Sequence, residues 1–131
     1  MNKHLLLLLL PYSVHASDLQ TIHTNAMGRV EYVWYSAYDF TPVPLGEVRQ
    51  GNCAVAAATV KQDLEANGYT AEYDICRTQY GVMHARVVSE GMVFDNRFKT
   101  PIPYEVADRE CHLFKGSTDR KELIKKILSY H

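Results

Sequence analysis

Three residues of this 131-residue chain have the types that together make a nucleophile: Cys53, His84 and Asp95. A thiol attacks as its thiolate, and an ordinary cysteine with a pKa near 8.5 is only about 3% ionised at neutral pH. An adjacent imidazole can take the proton and stay beside the sulfur as its imidazolium. A carboxylate on the far side of that ring fixes the tautomer and stabilises the charge. The chemistry would be attack of Cys53 on a carbonyl to form an acyl-enzyme, with His84 as base and Asp95 as the group that orients it. A helix start favours an anion by about 0.3–1 kcal/mol, less than the roughly 1.4 kcal/mol of one pKa unit, so most of the activation must come from His84. The Cys53 backbone N–H can donate to a developing oxyanion, and Gln50, one turn earlier, is a candidate second donor.

The elements that must position these residues are legible around them. From Asn52, the residues Cys53, Ala56, Ala57, Val60 and Leu64 recur at helical spacing, with Lys61, Gln62 and Glu65 largely elsewhere on the wheel. Asn52 suits the N-cap and Asn67-Gly68 the C-terminal stop, so Cys53 falls in the first turn, with alanines that allow close packing on a sheet. Tyr69 to Cys76 alternates Ala71, Tyr73 and Ile75 against Thr70, Glu72 and Asp74, the pattern of a half-buried strand. Gly81 to Val88 and Met92 to Phe98 read as a hairpin through Ser89-Glu90-Gly91. If Glu90 and Gly91 form the turn, Val88 pairs with Val93, Arg86 with Asp95 and His84 with Arg97, all on one face. His84 and Asp95 are then diagonal neighbours about 7–8 Å apart at the backbone, within reach of a hydrogen bond. A slip of one residue would turn one of them away. Singly, a helical cysteine beside alanines reads as a small core residue, and a strand histidine or aspartate as satisfied structure. The joint placement is what makes the pattern specific. His112 is the competing candidate for the base.

The stretches Gly51-Asn52-Cys53-Ala54-Val55-Ala56, Leu64 to Gly68, His84-Ala85-Arg86-Val87 and Phe94-Asp95-Asn96, with Pro101-Ile102-Pro103 after them, resemble the transglutaminase-like superfamily. Within it the chain is most similar to the bacterial transglutaminase-like cysteine proteinases, over about Asp18 to Leu113. The resemblance implies an α+β fold with a papain-like core, in which a helix carrying the cysteine packs on a small antiparallel sheet. It also implies periplasmic proteolysis of a surface-associated protein. Members of that family typically carry acidic residues beside the cysteine, implicated in calcium binding, where this chain has Asn52, Ala54 and Val55. Two apolar residues cannot coordinate a hard cation, so no calcium requirement is expected.

Elsewhere the sequence sets bounds. The length is that of one domain, and 47% apolar residues suffice for a core. The basic residues are scattered, without the stripe a nucleic-acid binder needs, and no apolar run is long enough to span a membrane. Met1-Asn2-Lys3-His4, the leucines Leu5 to Leu10 and the small-x-small site Val14-His15-Ala16 have the layout of a secretory signal peptide. Residues 1–16 are therefore expected to be removed, leaving a single domain over 17–131 that is periplasmic or secreted. Export bears on Cys76 and Cys111, which could pair across a loop of about 35 residues worth roughly 4 kcal/mol, or stand as two buried thiols. Cys111 and His112 are adjacent, which suits no zinc site, and no metal or cofactor is expected. Arg29 to Phe40 is crowded with aromatics, read as core and groove wall and undecided between helix and extended chain. Ser117 is read as the cap of a C-terminal helix with an apolar stripe of Leu123, Ile124, Ile127 and Leu128.

The expected function is an exported thiol hydrolase, a cysteine endopeptidase acting on a protein or peptide. The alternatives are acyl transfer to an amine, as in a transglutaminase or amidase acting on cell-wall or protein substrates, and a silent binding module of the same fold.

Overall fold

A computed structural model describes residues 11–35, 37–77, 83–107, 114–117 and 120–130, and the side chains of 18–35, 37–77, 83–107 and 121–129. The architecture is mixed α+β. Helix α1 (Pro11–Gly28) leads to strand β1 (Val30–Tyr32), which pairs in parallel with β2 (Arg49–Gly51). Helix α2 (Cys53–Ala66) follows at once. Then come β3 (Glu72–Arg77), β4 (Met83–Ser89), β5 (Met92–Phe94), β6 (Ile102–Pro103), β7 (Phe114–Ser117) and helix α3 (Arg120–Tyr130). These five strands form one antiparallel sheet in the order β6-β5-β4-β3-β7. No described helix is long and apolar enough to cross a membrane.

Helix α2 forms where its residues predict. Asn52 caps it by accepting from the Ala54 N–H at 3.0 Å, and it closes through Asn67 with Gly68 at φ +87°, a left-handed position where glycine carries no Cβ penalty. Its alanines let it lie close against Tyr73, Ile75, Ala85, Val87 and Phe94 of the sheet, with Leu19, Ile22 and Ala26 of α1 completing the core. The helix is buried nearly all round, which corrects the placement of Lys61 on an outer face. Lys61 is covered because its ammonium meets the Glu65 carboxylate at 3.0 Å and lies 5.3 Å from the Tyr73 ring centre.

The hairpin register is the expected one: Val88 pairs with Val93 and Ser89 with Met92. Glu90 and Gly91 both have positive φ, 55° and 71°, the backbone of a two-residue type I′ turn. The second strand is shorter than predicted, because pairing ends at Phe94 and Asp95 opens a turn in which the Phe98 N–H bonds the Asp95 carbonyl. Strand β3 corrects the half-buried reading. Central between β4 and β7, it buries Asp74 and Cys76 as well as Tyr73 and Ile75. Ser117 ends β7 opposite Tyr73 instead of capping a helix, and Leu128 is exposed, so the α3 stripe narrows to Leu123 and Ile127 with Ile124 partly covered. Among the described residues of the aromatic stretch, only 30–32 are strand; Phe40 is core, while Tyr32 and Trp34 are exposed. Helix α1 runs unbroken through Ala16, and among its described side chains Leu19, Ile22, His23 and Ala26 are buried.

Candidate active site

Gly51 and Asn52 deliver Cys53 to its position. A Cβ on Gly51 would fall 2.5 Å from the Val55 Cβ, a separation that side-chain carbons do not tolerate, so the end of β2 can turn into α2 only through glycine. The Val33 N–H holds this end by donating to the Gly51 carbonyl at 3.0 Å. Asn52, 5% exposed, uses both ends of its amide. Its oxygen caps the helix, and its Nδ2 donates to the carbonyls of Tyr35 at 3.0 Å and Ala37 at 2.8 Å. An aspartate would keep the cap and lose both donors, setting a carboxylate against two carbonyl oxygens. Asn52→Asp is therefore expected to destabilise the fold by about 1–3 kcal/mol in urea unfolding, while Asn52→Ser, also a good cap, shows how much of that is the missing donors alone. The same requirement gives a physical reason for an amide at this position.

Asn52 takes up the Ala54 and Val55 amides, and its carbonyl takes up that of Ala56. The Cys53 N–H is not among these capping bonds, which suits it to meet an oxyanion. Cys53 itself is a free, half-buried thiol. Its sulfur hydrogen-bonds the His84 side chain and the Ala85 backbone N–H. His84 Nε2–H donates to Asp95 Oδ2 at 2.9 Å, which leaves Nδ1 as the nitrogen for sulfur. Asp95 is 1% exposed. The structure thus brings together the three residues singled out above.

Their electrostatics are mutually reinforcing. Burial pushes the Cys53 thiol up, but the His84 hydrogen bond and charge, with the Ala85 N–H, outweigh it and the net shift is downward. Burial would lower His84, yet the bonds and charges of Asp95 and Cys53 raise it to about 9. Burial would likewise raise Asp95, but the hydrogen bonds from His84 and Arg97 hold its carboxyl well below the usual carboxylate range. A proton that His84 keeps to about pH 9 in the folded chain, against about 6.5 when unfolded, stabilises the fold below pH 6.5, and that contribution is lost as pH rises toward 9. The Asp95 contribution is present above the ordinary carboxylate range and is lost as pH falls through its depressed value.

Other predicted residues sort differently. Gln50 lies exposed on β2, three positions before the helix begins. Cys76 is disulfide-bonded and pairs directly with His84 across the β3–β4 ladder; Cys111, its candidate partner, and His112 lie outside the described residues.

Two further residues, whose roles local sequence does not by itself reveal, complete the site. Arg97 donates to Asp95 from its backbone N–H at 2.9 Å, from Nε to both oxygens and from Nη2 to Oδ2 at 2.7 Å. A basic residue two positions after an aspartate at a strand end is the signal for such a turn. His23 of α1, fully buried, donates Nε2–H to the Phe98 carbonyl at 2.9 Å and so braces the turn that carries Asp95 from behind. Burial lowers its pKa, against the raising effects of the Phe98 hydrogen bond and the Asp95 charge.

No family model matches this chain, and no curated protein is recognisably similar to it in sequence.

Proposed function

We propose that the chain is an exported cysteine hydrolase that cleaves polypeptide amide bonds, built on a papain-like, transglutaminase-like core. The observation that carries this is the continuous hydrogen-bonded relay from the Cys53 thiol through His84 to a buried, ionised Asp95. In the proposed reaction the thiolate attacks the carbonyl carbon, the oxygen takes the charge near the Cys53 N–H, and the amide C–N bond breaks as His84 gives its proton to the leaving amine. Water then attacks the thioester, losing a proton to His84 and releasing the acid and the thiol. A silent module of the same fold would have no use for a thiol whose pKa is lowered against its own burial.

The Cys76 disulfide supports export, because such bonds persist in oxidising compartments. A polypeptide substrate is supported by Trp34, 68% exposed and set between the Val33–Gly51 and Tyr35–Asn52 bonds, so that apolar surface borders the chain leading to Cys53. The test is to incubate residues 17–131, and the Cys53→Ala variant, with unfolded casein and with a cell-surface protein extract, then label new N-termini. Wild type is expected to generate them and the variant none. Equal yields from both would sink the proposal, and products bearing added biotin-cadaverine in place of new carboxylates would move it to acyl transfer.

A further inference from the structure

We propose that Arg97 is a positioning residue that shares the charge of Asp95, so that His84 is held in place by the carboxylate yet remains able to hand its proton on. The inference rests on the proposed reaction. Its basis is the division of one carboxylate between two cations: Oδ2 receives His84 Nε2 at 2.9 Å and Arg97 Nη2 at 2.7 Å, Oδ1 receives the Arg97 backbone N–H, and Arg97 Nε is shared between both oxygens. The guanidinium is thus the nearer partner of the oxygen that His84 uses. It is planar, permanently charged and forked, so it fixes the carboxylate plane as well as its charge.

Among the described residues, the titratable groups facing this carboxylate come from four places. His84 stands on β4, Cys53 at the start of α2, Arg97 on the turn itself, and His23 on α1, its pKa lowered by burial. Arg86, the next basic residue along β4, is engaged with Asp74. Among the described residues Arg97 is therefore the cation that moderates the hold of Asp95 on His84. A buried carboxylate with His84 as its only cationic partner would bind the imidazolium so firmly that release of the proton to a leaving amine, and its recovery from water, would be slowed. Arg97 is 40% exposed at its side chain, so its field is screened and its influence is moderate.

The test follows the His84 Cε1–H resonance by NMR in protein labelled with carbon-13 histidine, assigned through His84→Gln, with iodoacetamide alkylation of Cys53 measured on the same samples. In Arg97→Gln the titration of His84 is expected to move to higher pH by about half to one unit, as removal of a nearby like charge requires. Arg97→Lys, which keeps the charge, should stay closer to wild type than to Arg97→Gln. A His84 titration that fails to rise in Arg97→Gln, or that is no closer to wild type in Arg97→Lys, overturns the inference. Failure of the underlying reading looks different, since wild-type His84 would then titrate near the ordinary 6.5 and Cys53 would alkylate as an ordinary thiol.

Discussion

Cys53 loses its reactivity at low pH when His84 is replaced by alanine. At pH 6 an unassisted thiol is about 0.3% ionised, so the rate of alkylation by iodoacetamide should fall on the order of tenfold to a hundredfold. The drop is tempered because a thiolate of lower pKa is intrinsically the weaker nucleophile. Near pH 9.5 the two proteins should converge, because an ordinary thiol ionises there without help. Turnover suffers more than alkylation, by about 10³-fold or more, since His84 must also protonate the leaving group. The Cys53→Ala/His84→Ala double variant should be no worse than either single change, as expected of residues that act as a unit. A His84→Ala protein alkylated at pH 6 as fast as wild type would remove the basis for reading these residues as a relay. Asp95→Asn provides the intermediate case: the ring keeps a neighbour of the same shape, but a neutral amide gives the imidazolium no charge to sit against.

What could be read in the sequence is what local rules govern. The start and stop of α2 follow from Asn52 and from Asn67-Gly68, and the His84–Asp95 relationship follows from a two-residue turn at Glu90-Gly91 that allows a single register. What could not be read depends on partners distant in sequence. His23 interrupts the stripe of Leu19, Ile22 and Ala26 on α1 with a polar ring, and it can be buried there only because the Phe98 carbonyl, 75 residues on, takes its Nε2–H. Asp74 alternates with apolar residues and so reads as facing water, yet Arg86 across the ladder allows it to be fully buried. The parallel pair β1–β2 joins two three-residue strands, too short to show a period of two and separated by a long loop. Arg97 was legible only as the cross-strand partner of His84, and that pairing does not form because the ladder ends at Phe94. The guanidinium is freed to turn back onto Asp95, which makes the early end of β5 a condition of the site's geometry.

The Asp74–Arg86 pair should produce the largest stability effect in the molecule, and it lies on the strand that carries His84. The two residues are direct cross-strand partners, Arg86 Nε and Nη2 each reach Asp74 Oδ2 at 3.0 Å, and both side chains are fully buried. Removing one partner leaves the other charge in a low-dielectric interior, which costs about 3–5 kcal/mol, whereas replacing both with apolar residues of similar volume is often close to neutral. Asp74→Leu and Arg86→Met are thus each expected to lower the unfolding free energy by about 3–5 kcal/mol, a large part of what a domain of this size possesses. Asp74→Leu/Arg86→Met should recover most of the loss. Urea unfolding of the four proteins gives the cycle, and iodoacetamide labelling at pH 6 shows whether the relay survives. If the double variant is as stable as wild type and its Cys53 still reacts at pH 6, the pair specifies which strands meet without contributing to the relay. If stability returns but that reactivity does not, the ion pair also fixes the position of β4 finely enough to matter two residues away, at His84. Should the single changes cost less than 1 kcal/mol, the burial described for this pair would be wrong, because no desolvated charge is abandoned so cheaply.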